Sequence, residues 1–270
     1  MSDFDINGKI IVVTGGTGIL GKAFVEGIAA AGGIPVIVGR NEQVAREREA
    51  QIKQQGGRAL AVIADVTDEK QLIAGRDKIV QELGQIDGLV NAAGGNIKNA
   101  VIEKDKDLFD LDLSALQAVM NLNLFGTVLP TQVFGKEMAR QGKGSIVNIS
   151  SMAAQRAITK VLGYSLAKSA IDAYTKWFSV ELGNRYGDLI RMNAIAPGFF
   201  LTEQNRELLT NGDESLTERG NLVVRHTPFR RFGAPEELTG ALIWLLSDAS
   251  KFVTGTVITV DGGFSVFSGV

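Results

Sequence analysis

Short apolar runs alternate with amphipathic stretches along almost the whole chain. KIIVVTG, IPVIVGR, ALAVIAD, DGLVNAAG, GSIVNISS, IRMNAIAPG and TVITVDGG have the length and content of buried strands. Between them KAFVEGIAAA, NEQVAREREAQIKQQ, DEKQLIAGRDKIVQEL, LSALQAVMNLNLFGTVLPTQVFGKEMARQ, YSLAKSAIDAYTKWFSVELGNRY and PEELTGALIWLLSD carry helical patterning, and Gly56-Gly57 and Gly84 act as helix stops. This alternation predicts an α/β fold: a Rossmann-type doubly wound parallel sheet in three α/β/α layers, with ligands at the carboxyl ends of the strands.

No internal repeat, low-complexity segment or Pro/Ser-rich linker interrupts the pattern, so residues 1–270 are expected to form a single domain. Two connections, residues 95–112 and 199–227, exceed the about two to six residues usual between strand and helix. Both follow strand ends and should overhang the ligand crevice. TEQNRELLT, in the second, has the pattern of a short lid helix.

Composition narrows the chemistry. With 45% hydrophobic and 21% charged residues the chain is ordinary for a globular protein. Its apolar runs reach only about six residues, far short of a bilayer span. MSDFDINGK lacks the apolar region of a signal peptide, so a cytoplasmic protein without membrane partners is expected. A net charge of −2 without a basic tract argues against nucleic acid as a partner. There is no cysteine, hence no disulfide, thiolate nucleophile or Cys-ligated zinc. His226 is the single histidine; no nucleophile elbow lies near it, and it reads as an ordinary loop histidine. No metal site is expected.

TGGTGILG, residues 14–21, joins the first strand to the first helix. Gly16, Gly18 and Gly21 satisfy a Gly-x-Gly-x-x-Gly fingerprint. Thr14 and Gly15 instead open a Thr-Gly-x-x-x-Gly-x-Gly form in which Ile19 stands where a glycine belongs. Either way, Gly15, Gly18 and Gly21 would let backbone approach a pyrophosphate at a helix N-terminus. The second strand ends in VIVGRN, without the carboxylate that would hold an NAD ribose. Arg40 either meets the 2′-phosphate of NADP or stays solvated beside an NAD ribose. Asp65 either accepts a hydrogen bond from the adenine amino group or caps the helix beginning near Thr67.

Tyr164 and Lys168 are four apart on a predicted helix and share one face. An ammonium beside a phenol favours phenolate and suits it to acid–base work. Chance alone would produce such a pair on the order of once in six chains of this composition, so the neighbours decide its meaning. Ser151 follows a strand and offers a hydroxyl to the substrate oxygen. Asn123, in mid-helix, is either an amide satisfied by a nearby carbonyl or one that holds water in a proton relay with Lys168.

Thr14-Gly15 with the glycine turn, Asn91-Ala92-Ala93-Gly94, Asn123 to Gly126, Ser151, Tyr164-x-x-x-Lys168 and Pro197-Gly198 stand in the order seen in short-chain dehydrogenases/reductases, which the chain resembles over nearly its whole length. The resemblance implies that Tyr164 is the acid/base, that Lys168 lowers its pKa and holds the nicotinamide ribose, that Ser151 orients the carbonyl and that Asn123 extends the relay. It implies NAD or NADP as cofactor, with contacts from Gly15, Thr17, Gly18, Ile19 and Gly21 in the turn and from Arg40, Asn41, Asp65 and Val66 after the next two strands. Asn91, Ala92 and Gly94 would line the adenine-side ribose, and Pro197, Gly198 and Thr202 would bracket the nicotinamide alongside Tyr164 and Lys168. A homotetramer is implied too.

APGFFLTEQNRELL, SLTERGN, HTP, RFGAPEEL, VDGGFSVFSGV and NAAGGN are similar to the family's D-mannonate oxidoreductase, or fructuronate reductase, subgroup. This implies a sugar-acid substrate: D-fructuronate, whose ketone becomes the alcohol of D-mannonate. Gluconate and its 5-keto form, or another polyol or sugar, is an alternative, and a nucleotide-sensing regulator without turnover is another. A sugar acid needs a cation and several hydrogen-bonding groups. Ser151 and Tyr164 would meet its reacting oxygen. Asn96, Lys98, Arg156, Gln204, Asn205 and Arg206 border the expected site, with Arg156 or Arg206 as the carboxylate anchor.

Overall fold

The computed structural model describes residues 3–103 and 107–269, with the backbone alone at 203–205. Seven strands, β1 (Ile10–Thr14), β2 (Ile34–Gly39), β3 (Leu60–Ile63), β4 (Gly88–Asn91), β5 (Gly144–Ile149), β6 (Ile190–Pro197) and β7 (Val257–Val260), form one sheet in the order β3-β2-β1-β4-β5-β6-β7. Every pairing is parallel, as the continuous apolar runs require: β1, β2, β4 and β6 are buried at every position.

Helices cover both faces. On one side α1 (Ile19–Ala30), α2 (Glu42–Gln54) and α9 (Thr239–Leu246) close a core around Phe24, Ile28, Ile52, Leu242 and Leu245. On the other, α3 (Glu69–Leu83), α5 (Gly126–Gln141) and α6 (Leu162–Tyr186) bury Leu72, Ile79, Phe134, Met138 and Leu182. At about 25 cal/mol per Å² of apolar area removed from water, these two layers supply the main stabilisation of the sheet.

The long stretch read as one helix is broken. It runs as α4 (Leu113–Met120), a π turn over Asn121–Phe125, then α5. By length and mean hydropathy, 1.2, Leu113–Gln141 passes the test for a membrane span. Its buried positions, however, include Asn123, Thr127, Thr131 and Glu137, and it packs on α3, α6, β4 and β5 as a core helix does. The 199–227 connection holds α7 (Glu203–Leu209), where the lid helix is expected, and α8 (Glu218–His226), which the patterning did not announce.

Because β1 lies between β2 and β4, the crossovers diverge at its carboxyl end and open a crevice there. Thr14 ties this end together: its Oγ1 accepts from Ala92 N at 3.1 Å and Ala93 N at 3.3 Å.

Candidate active site and dinucleotide crevice

The turn after β1 is close-packed around its glycines. Gly15 has φ +64°, and a Cβ there would lie 2.7 Å from Ala93 N; a Cβ on Gly21 would lie 2.1 Å from the Gly15 carbonyl oxygen. Helix α1 thus starts hard against the turn, a fit that larger residues forbid. Gly18 sits at its N-cap with no side-chain hydrogen bond to the first amides, so those donors face the crevice end of β1. A turn without side chains at the contact points and a helix with uncapped amides fit a dinucleotide pyrophosphate. Gly39 makes room for Thr17, whose Oγ1 would be 2.6 Å from a Cβ there.

At the end of β2, Arg40 is exposed and its Nη1 lies 3.6 Å from Asp65 Oδ2. Asp65 does not cap α3. Asp68 does, accepting from Lys70 N and Gln71 N, while Asp65 Oδ1 accepts from the amide and hydroxyl of Thr67. Those two bonds hold its carboxyl below the usual range, with Arg40 a lesser contributor. Asn41 caps α2 by accepting from Val44 N at 3.1 Å, so its side-chain oxygen is engaged locally. Val66 is buried beside Gly126. Asn91 is turned inward: its Nδ2 donates to Thr131 Oγ1 and Asn148 Oδ1, both at 2.9 Å. What the Asn91–Gly94 segment can present to a ribose is therefore its backbone.

The chemistry-bearing side chains gather at the carboxyl end of β5. Ser151 follows the strand, is 9% exposed, and accepts from Ala153 N at 3.1 Å. Tyr164, half-buried near the start of α6, hydrogen-bonds to it. One turn on, Lys168 lies with Nζ 5.4 Å from the Tyr164 ring centroid and donates to the Ile149 carbonyl at 2.7 Å. Burial drops its pKa to about 8, against a smaller opposing pull from Asp172. Asp172 accepts a short hydrogen bond from Ser150 Oγ, so the residue before Ser151 is tethered to the helix that carries Tyr164 and Lys168.

One expectation changes here. The phenol of Tyr164 is pushed up from 10.0, not down, because burial outweighs the Ser151 hydrogen bond. Lys168 donates a hydrogen bond to the Ile149 carbonyl and lies over the Tyr164 ring. Asn123, in the π turn, is satisfied by backbone: Nδ2 donates to Gly95 O at 2.7 Å and Val119 O at 2.9 Å, and Oδ1 accepts from Gly95 N at 3.0 Å. It clamps the start of the 95–112 connection, leaving a single lone pair on Oδ1 for any water. Gly94 keeps Asn123 and Lys168 in view of each other; a Cβ there would be 2.6 Å from Asn123 Oδ1 and 3.5 Å from Lys168 Nζ.

Among the candidate substrate contacts, Asn96 is half-buried and its Oδ1 has no partner among the described residues. Arg156 Nε donates to Ser265 O at 2.5 Å, so part of its fork belongs to the C-terminal segment. Arg206 is exposed on α7, Lys98 is exposed, and the side chains of Gln204 and Asn205 lie outside the described residues. Pro197 ends β6; Gly198 follows, its amide bonded to Val260 O at 2.9 Å, and Thr202 accepts from Arg206 N through its carbonyl. His226 ends α8 with Nδ1 2.8 Å from Leu222 O, a helix-end histidine remote from the Tyr164 group in sequence. Among the described residues no cluster of His, Asp or Glu forms a metal site.

The seven-stranded parallel sheet flanked by helices is shared with known proteins. The family model described as Enoyl-(Acyl carrier protein) reductase matches residues 8–265. The chain belongs to the short-chain dehydrogenase/reductase family. It is 39% identical over 275 residues, 98% of each chain, to the uncharacterized oxidoreductase UxuB of Bacillus subtilis. A candidate D-mannonate oxidoreductase from Haemophilus influenzae, solved with NAD, superposes with a TM-score of 0.89 at 39% identity over 98% of both chains. A gluconate 5-dehydrogenase from Burkholderia cenocepacia, solved with NADP and tartrate, gives 0.85 at 33% identity over 97% of both. The protein is an NAD(P)-dependent oxidoreductase acting on alcohol groups.

Sequence reasoning missed Arg48 and Asp172. Arg48 Nη1 donates to the carbonyls of Gly16 and, at 2.9 Å, Gly18. In NEQVAREREAQIKQQ it looks like any solvated helix charge; the one signal that separates it from Arg46 is its spacing of four from both Val44 and Ile52, which puts it on the apolar face of the helix.

Proposed function

We propose that this protein interconverts a keto sugar acid and its secondary alcohol, with D-fructuronate and D-mannonate as the pair, inside the cytoplasm. The reading is carried by the convergence of Ser151, Tyr164 and Lys168 at the mouth of the crevice. It is supported by the similarity to the Haemophilus candidate D-mannonate oxidoreductase.

When bound, the reduced nicotinamide supplies the hydride that goes to the substrate carbon. Ser151 and Tyr164 hold the ketone oxygen between two hydroxyls. Tyr164, kept protonated by burial, donates its proton to that oxygen as negative charge develops. The ammonium of Lys168 limits the cost of the phenolate left behind, and alcohol oxidation runs the same transfers backwards. Gly15, Thr17, Gly18, Ile19 and Gly21 hold the pyrophosphate through backbone, and Pro197, Gly198 and Thr202 flank the ring. Asn96 donates or accepts toward a substrate hydroxyl, consistent with its unpartnered Oδ1. Arg206 is preferred to Arg156 as carboxylate anchor, because among the described residues no ion pair engages it whereas Arg156 already serves Ser265.

Gluconate and its 5-keto form are the second reading, favoured by the 33% identity to the Burkholderia gluconate 5-dehydrogenase and by an exposed Arg40 available to NADP. Initial rates with fructuronate, 5-ketogluconate and neutral ketoses, each with NADH and NADPH, separate the two. Fructuronate should rank first; 5-ketogluconate ahead of it would transfer the assignment, and no turnover on any ketone would favour a sensing role. A homotetramer is part of the proposal, supported by exposed Leu166, Trp177 and Val180 on α6, and light scattering tests it.

A further inference from the structure

The glycine turn departs from its family's form at Ile19, and Arg48 reaches it from the side of α2. Arg48 is half-buried, three residues after buried Ala45 and four before buried Ile52, on the face of α2 that packs inward. Its Nη1 donates to the carbonyls of both Gly16 and Gly18. In a trans peptide the N–H points opposite to the C=O. Drawing those carbonyls toward α2 therefore turns Thr17 N–H and Ile19 N–H to the opposite side of the turn. Among the described residues no backbone carbonyl accepts from Thr17 N–H, and α1 has no side-chain cap.

We propose that Arg48 is a positioning residue for the pyrophosphate of the dinucleotide. It sets the Gly16–Thr17 peptide plane and supports the Gly18–Ile19 plane, whose carbonyl also accepts from Lys22 N, so that their amides converge on the phosphates, the control that the displaced glycine pattern leaves in part to a side chain. It also stands a full positive charge behind those amides, which adds to the helix N-terminal field. Because Ile19 contributes through its backbone, the missing glycine costs the site nothing once the plane is held. The inference rests on the reading of residues 14–21 as the pyrophosphate cradle, and the test keeps the two apart.

The full chain is titrated with NADH, ADP-ribose and adenosine in wild type, Arg48→Met, Arg48→Lys and Gly21→Ala. Arg48→Met should weaken NADH and ADP-ribose about tenfold and leave adenosine, which has no phosphate, within about twofold. KM for the cofactor should rise by about the same factor with kcat at saturation nearly unchanged, and Arg48→Lys should recover most of the loss. Equal weakening of adenosine and ADP-ribose, or no weakening at all, overturns the role of Arg48. If Gly21→Ala also binds ADP-ribose normally, the cradle reading itself falls. Should Arg48→Met not fold, the ratio of ADP-ribose to adenosine affinity in Arg48→Lys decides the matter: lowered about threefold by the proposal, unchanged without it.

Discussion

Lys168 Nζ lies 5.4 Å from the centre of the Tyr164 ring while hydrogen-bonding to the Ile149 carbonyl. The cation and the phenol share one helix face and one dry environment. Burial acts on them in opposite directions, raising Tyr164 above 10.0 and lowering Lys168 to about 8. Both shifts favour neutral forms, so near pH 7 the tyrosine holds its proton and the lysine remains a cation. That is the protonation state a ketone reduction starts from.

Removal of the phenolic hydroxyl should therefore take away proton transfer and little else. Tyr164→Phe keeps the ring that Lys168 stands over. Its NADH affinity should match wild type, while turnover falls by about a hundredfold to ten-thousandfold. Stopped-flow binding beside steady-state rates checks both halves, and wild-type turnover would remove Tyr164 from the role of acid.

The depressed Lys168 carries a stability signature. Between about 8 folded and its ordinary 10.5, the unfolded chain holds more protons on this lysine than the folded one. Stability then rises with pH through that window. The burial penalty is fully present below pH 8 and is relieved above it. Tyr164, raised in the folded state, acts with the opposite sign once pH passes 10, so the clean interval is pH 8–10. Across it the urea unfolding free energy of wild type without cofactor should rise relative to that of Lys168→Met, by at most about 1.4 kcal/mol per pH unit. Parallel curves would mean the lysine titrates as if exposed.

How much of this was legible beforehand follows from range. The strands were readable because each is a continuous apolar run in a doubly covered sheet, and Tyr164 with Lys168 because helical spacing is local. The π turn at Asn121–Phe125 was not, since it depends on Asn123 finding Gly95, 28 residues away. Nor was the cap at Asp68 in place of Asp65, a choice between two carboxylates three residues apart. Arg48 stayed hidden because its partners are carbonyls across the fold. The direction of the Tyr164 shift was missed for the same reason: proximity to a lysine is written in the sequence, and the dryness of their surroundings is not.

Arg40 offers the sharpest test of cofactor choice. Its side chain is 76% exposed and its pairing with Asp65, at 3.6 Å, is an exposed contact of small net worth. A 2′-phosphate would draw the guanidinium from Asp65 with little opposition, gaining a charge-assisted and forked contact. A 2′-hydroxyl would have no such hold, and Asp65, kept ionised by Thr67, would be the better partner for it. Arg40→Ala should thus raise KM for NADPH about tenfold while NADH changes by no more than about twofold. Asp65→Asn should act the other way, easing the approach of NADPH by removing a like charge from the phosphate. An equal effect of Arg40→Ala on both cofactors would mean that Arg40 lies beside the ribose as a solvated cation, and would assign the enzyme to NAD.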